Sequence, residues 1–169
     1  MMKCSGGVVS QDFSTWTNSG GTITTENGVS IVTFSQELAS GVNYKSIYAP
    51  SISKEQLVGK TVHFSVWLKI ADVSEVTYKN VLQFRTYTSD GTGISYWEHA
   101  YTSSYFNNPE MTDNTWRRLE CSIPWSTILS KSNFYEEAYD SNDSAKMRIR
   151  LLLCGNGTYS YKLPALELI

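Results

Sequence analysis

The run Lys60–Ala71, KTVHFSVWLKIA, alternates between apolar and other side chains over a longer stretch than any other part of the chain. Val62, Phe64, Val66, Leu68 and Ile70 share one parity, and His63, Ser65, Trp67 and Lys69 share the other. A period of two is what a strand produces when one side packs on a core and the other meets something else. Such a strand obliges the rest of the chain to supply a second apolar layer. Trp67 is the odd member of the outward parity. A large ring between a hydroxyl and a cation is either packed beneath a neighbouring loop, such as the one after Trp125, or offered to a ligand.

The remaining sequence repeats this grammar in shorter pieces. Val8–Phe13 reads as a first strand, followed by a turn-rich segment, Thr17–Gly21. Thr22–Thr25 and Val29–Ser35 flank Asn27-Gly28, the strongest short-range hairpin signal. Val42–Ala49 alternates until Pro50, and Ser53 is placed to cap a single helical turn over Lys54, Glu55 and Gln56. Asn80–Thr88 and Thr92–Tyr101 surround a second hairpin signal, Asp90-Gly91. Thr115–Pro124 is a further strand, and Trp125–Ala145 reads as a long irregular connection. Lys146–Cys154 and Thr158–Ile169 close the chain, the second broken by Pro164. Eight to ten short strands with little helix predict an all-β fold, an antiparallel β-sandwich or jelly roll, and no internal period suggests a repeat array.

At 169 residues one domain spanning 1–169 is expected, with room for a substantial core. A net charge of −2 lacks the basic footprint of nucleic-acid binding, so no nucleic-acid partner is expected. No apolar stretch approaches the ~18 to 20 residues of a membrane span, and the N-terminal MMKCSGGVVS lacks the apolar core of a leader peptide. Aromatics make up 13% of the chain and charged residues only 18%, a β-protein composition with rings to spare. Three cysteines, Cys4, Cys121 and Cys154, cannot all pair within one chain and show no metal-ligand spacing. Cys121 falls on an apolar parity as a small core residue, and a Cys121–Cys154 bridge is left open. Trp16, Trp116 and Trp125 read as structural. The acidic stretch Glu136–Asp143 lacks the spacing and glycine of a calcium loop and reads as solvated. No nucleophile elbow, phosphate loop or metal-protease motif is present, and Glu98 with Glu120 is the one carboxylate pair that invites a glycosidase reading. An enzyme is not expected.

Four segments in order, QDFSTW, LVGKTVHFSVWLK, TDNTWRRLECSIP and MRIRLLLCGNGTYSYKLPALEL, cover Gln11 to Leu168. Together they resemble the jelly-roll carbohydrate-binding modules of families four, nine and twenty-two, which occur attached to glycoside hydrolases and in bacteriophage tail proteins. The chain departs from that pattern with Val62 at a usual tyrosine. It also offers only Glu167 where family members place an Asp in the last strand for a structural calcium; Asp12 and Glu167 are the positions such an ion implies. The resemblance implies non-catalytic binding of a polysaccharide or cell-surface glycan, with no cofactor beyond that optional calcium. It also implies a virion, extracellular or cell-surface setting within a larger assembly. Sugar recognition needs rings to stack on pyranose C–H faces and polar groups for the hydroxyls. On the outward parities Trp67, with His63 and Lys69 beside it, Gln83, Arg85 and Tyr87 supply that mixture, and Tyr96, Trp97 and Glu98 extend it. The alternative is an assembly domain of the same fold whose exposed rings pack on partner subunits of a virion or complex.

Overall fold

The computed structural model describes residues 7–10, 12–18, 21–37, 45–74, 82–88, 93–98, 114–130, 139–153 and 156–169. Among these are twelve strands: β1 (Gly7–Ser10), β2 (Thr17–Asn18), β3 (Thr22–Glu26), β4 (Val29–Gln36), β5 (Lys45–Tyr48), β6 (Ile52–Ser53), β7 (Thr61–Ser74), β8 (Leu82–Tyr87), β9 (Gly93–Glu98), β10 (Arg117–Pro124), β11 (Lys146–Leu153) and β12 (Asn156–Leu168). Two short helices, α1 (Lys54–Leu57) and α2 (Trp125–Leu129), lie among them. Every strand pair is antiparallel. The first sheet runs β10-β7-β12-β4-β3, with β1 also on β12, and the second runs β2-β5-β11-β8-β9, with β6 also on β11. The non-consecutive neighbours make this a β-sandwich of jelly-roll type. No helix among the described residues is long and apolar enough to cross a membrane.

The inner parity of β7 is the middle of the core. Val62, Phe64, Val66, Leu68 and Ile70 are each at most 2% exposed. They share one apolar cluster with Leu119, Cys121 and Ile123 of β10, Tyr159, Tyr161, Leu166 and Leu168 of β12, and Phe84, Met147, Ile149 and Leu151 of the second sheet. Burial of such side chains contributes about 1.5 to 3 kcal/mol each, which is why the longest alternating run carries so much of the fold. Cys121 is a free, buried thiol, and burial pushes its pKa up to about 12. Cys4 and Cys154 lie outside the described residues.

Several sequence expectations change in detail. The first strand stops at Ser10, and a 3-10 turn over Phe13–Thr15 follows, capped by Asp12, whose carboxylate accepts from the Ser14 N–H at 2.8 Å and from its hydroxyl. This turn swings Phe13 and Trp16 into the core, their rings 5.3 Å apart. Pro164 does not break the last strand. Lys162 pairs with Trp67 and Ala165 with Ser65, so Leu163 and Pro164 together oppose Val66 alone, and Leu163 takes a φ of 50°. This bulge shifts the parity by one, so that Tyr159 and Tyr161 before it and Leu166 and Leu168 after it all face inward. A proline that cannot donate to the ladder is tolerated at such a site.

The connection after Pro124 is not wholly irregular, because α2 occupies its first residues. Trp125 donates its backbone N–H to Lys60 O at 2.8 Å, and Trp125 and Ile128 are buried on one face of the helix. The Trp125 ring meets Tyr139 edge-on at 5.6 Å. Ser53 caps α1 in a capping box with Gln56, as its position implies. Asn27 and Gly28, with φ of 51° and 78°, form the two-residue turn between β3 and β4. Residues 38–44, 89–92 and 99–113, where parts of other expected elements fall, lie outside the described residues.

If β7 is the centre of the core, Phe64→Ala should lower the unfolding free energy by about 3 to 5 kcal/mol in urea titrations followed by tryptophan fluorescence. A loss below about 1 kcal/mol would contradict that placement.

Candidate functional site

The sandwich has two outer faces, and the sequence-predicted site residues divide between them. β7 lies in the first sheet, flanked by β10 and β12, whereas β8 lies in the second, flanked by β11 and β9. The outward parities of β7 and β8 therefore face opposite sides of the molecule. Trp67 does not share a surface with Gln83, Arg85 and Tyr87, which corrects the expectation of one face. Alternation reveals which side of a strand is buried but not which sheet the strand joins, and the chain crosses between sheets after β7.

On the first sheet, half-buried Trp67 sits in register with Arg118 of β10 and Lys162 of β12. Trp116, which reads as structural in the sequence, is half-buried at this surface, with Lys162 Nζ 4.3 Å and Lys69 Nζ 4.9 Å from its ring centre. Glu120 accepts from Arg118 at 3.1 Å and stands 3.3 Å from His63 Nε2. These partly exposed pairs contribute at most about 1 kcal/mol each.

The two positions that a structural calcium implies lie on different elements. Glu167 is in register with Val8 and His63, whereas Asp12, exposed and capping the Phe13 turn, lines a shallow cleft with Phe13, Gly28, Val29, Ser30, Leu163 and Pro164. Hydrogen bonds from Ser14 hold the Asp12 carboxyl below its usual pKa. Calcium takes about six to eight oxygen ligands. Among the described residues no group of three or more His, Cys, Asp or Glu side chains is placed to hold a metal.

The second sheet carries a denser constellation. β8 presents Gln83, Arg85 and Tyr87 outward, next to Arg148 and Arg150 of β11 and Tyr48 of β5. The Arg148 guanidinium lies between two rings, 4.0 Å from the centre of Tyr48 and 4.1 Å from that of Tyr87. Stacking on both faces of the guanidinium is a cation–π arrangement that fixes its plane. Arg85 lies 5.5 Å from the centre of the Tyr87 ring, and Arg150 5.8 Å from that of Tyr48. The absence of a side chain at Gly93 makes room for Arg85, since a Cβ there would come within 2.6 Å of Nη2. Gln83 and Arg150 are each 4% exposed and Tyr87 7%, while Tyr48, Arg85 and Arg148 keep partial access to solvent. Among the described residues the Tyr87 hydroxyl and Arg148 Nε are buried without a hydrogen-bond partner.

The other two expected site residues lie on β9. Glu98 is in register with Gln83, and Trp97 with Phe84, a core residue. Glu98 and Glu120 stand in different sheets, which removes them as a pair across one cleft. The alternation reading passes over Tyr48, Arg148 and Arg150. Their signal is nevertheless present in KMRIRLLL, where Lys146, Arg148 and Arg150 interleave with apolar Met147, Ile149 and Leu151.

No family model matches the chain, and no curated protein matches it. Among solved structures it is similar to a family 11 carbohydrate-binding module from Clostridium thermocellum in complex with a β-1,3-1,4-mixed-linked tetrasaccharide. That likeness has 13% identity and a TM-score of 0.49, over 99% of this chain and 97% of that one. A xylan-binding domain from Paenibacillus barcinonensis is similar at 17% identity and a TM-score of 0.37, covering 97% and 96% of the two chains. An arabinose-bound α-L-arabinofuranosidase is similar at 12% identity and a TM-score of 0.45; the alignment covers 95% of this chain and 25% of that enzyme. The sandwich assignment itself rests on the two sheets and their registers.

Proposed function

We propose that this chain is a non-catalytic carbohydrate-binding module and that its sugar site is the outer face of the second sheet. The observation that carries the reading is the Tyr48–Arg148–Tyr87 stack, with Gln83 and Arg85 beside it on the same face. Rings offer flat apolar surface to pyranose C–H groups, and amide, hydroxyl and guanidinium groups offer directional bonds to hydroxyls. Because these groups stand on paired strands, little ordering is required when a ligand arrives. The motif resemblance across Gln11–Leu168 supports the same class. Its setting is a larger assembly at a virion or cell surface, such as a phage tail, or a polysaccharide-degrading system, with a polysaccharide or surface glycan as the partner.

The second reading is an assembly domain. It draws on Trp67 and Trp116, half-buried rings on the opposite face, which suit packing against a partner subunit. A glycan array probed with the wild-type chain, Tyr48→Ala and Trp67→Ala separates the two. Binding weakened about tenfold or more by Tyr48→Ala (~1.4 kcal/mol) and unchanged by Trp67→Ala supports the second-sheet site. A silent array favours assembly, and loss of binding in Trp67→Ala alone moves the site to the first sheet.

The binding we propose uses no cofactor. A chelator should leave both the melting temperature and glycan affinity unchanged, because a metal bound to the native state would raise its apparent stability by mass action. A drop of several degrees on adding EDTA would show a stabilising ion.

A further inference from the structure

We infer that Gly93 is a positioning residue of the second-sheet face: its missing side chain sets where the Arg85 guanidinium stands. The inference rests on that face being a sugar site. The pairing of β8 with β9 slips between Thr86 and Tyr87, since Thr86 pairs with Ser95 and Tyr87 with Gly93, which leaves Ile94 as the extra residue. Bulges of this kind re-aim the side chains around them. Ile94 packs against the core, and Gly93 stands across from Tyr87 on the outer row. A Cβ on Gly93 would lie 2.6 Å from Arg85 Nη2, 3.2 Å from its Nε and 3.3 Å from its Cζ. The guanidinium therefore occupies the space that a side chain at position 93 would fill.

The backbone does not demand glycine here, because Gly93 lacks the positive φ that Gly28, Gly59 and Gly157 adopt. Glycine in a strand is destabilising relative to a residue with a side chain. What it provides at this position is room for Arg85. Arg148 is directly opposite Arg85 in the ladder with β11, and like charges so placed repel. The two rings of Tyr48 and Tyr87 hold the Arg148 guanidinium, whereas Arg85 reaches toward β9, on the other side of β8. Two planar groups of donors are thereby spaced across the face, where the hydroxyl oxygens of one glycan can meet both. Because the close contact falls on the far end of a flexible side chain, alanine at position 93 displaces Arg85 and leaves the backbone in place.

A glycan array probed at graded concentrations of the intact chain, Gly93→Ala, Arg85→Ala and the double variant tests this. Gly93→Ala is expected to melt close to the wild type and to bind the glycans that the wild type binds about fivefold more weakly. Arg85→Ala is expected to lose about fivefold or more, and the double variant to bind no more weakly than Arg85→Ala, since the glycine acts only through that side chain. A purely structural glycine would instead give losses that multiply in the double variant. Multiplying losses, wild-type binding by Gly93→Ala, or wild-type binding by Arg85→Ala overturns the inference and leaves the sugar site standing. A blank array for the wild type overturns the sugar site and this inference with it.

Discussion

Val62, Phe64, Val66, Leu68 and Ile70 pack against the inner rows of the second sheet, and the positions of both outer faces follow from that contact. A strand has two sides, so burying one row of β7 forces His63, Trp67 and Lys69 outward on the first sheet. The same constraint on Phe84, Met147, Ile149 and Leu151 turns Arg85, Arg148 and Tyr87 outward on the second. The bulge at Leu163 and Pro164 belongs to this scheme. Without its extra residue, the end of β12 would turn Leu166 and Leu168 out of the core.

The two faces differ in physical character. On the first sheet the charges are mixed and partly exposed, with Glu120 shared between Arg118 and His63, and the rings of Trp67 and Trp116 are accompanied by lysines. The second sheet stacks a guanidinium between two tyrosines, and among the described residues the Tyr87 hydroxyl and Arg148 Nε have no hydrogen-bond partner. The reading of a glycan site rests on this asymmetry between the faces.

Much of the fold was legible in local pattern, because burial of one side of a strand writes itself directly into alternation. The inner rows of β7 and β10, the Asn27-Gly28 turn and the Ser53 cap all follow from residues within a few positions of one another. What local pattern does not contain is pairing between distant strands. Trp67 and Arg85 look like neighbours in sequence order, yet the chain changes sheet between them. Trp116 is half-buried beside Lys69 and Lys162, two lysines that stand far from it in the chain. Tyr48 and Arg148 are about a hundred positions apart and meet only because β5 pairs with β11. The row Lys146, Arg148 and Arg150 in KMRIRLLL was visible in the sequence, but not which strands would flank it.

Amide chemical-shift mapping during titration with a glycan identified on the array distinguishes the two outer faces. A site on the second sheet places the largest perturbations on β5, β8 and β11, around Tyr48, Arg85, Tyr87 and Arg148, with the amides of β7 and β10 near Trp67 and Arg118 undisturbed. Perturbations concentrated on β7, β10 and Trp116 would contradict it, because they would place the ligand on the opposite side of the sandwich.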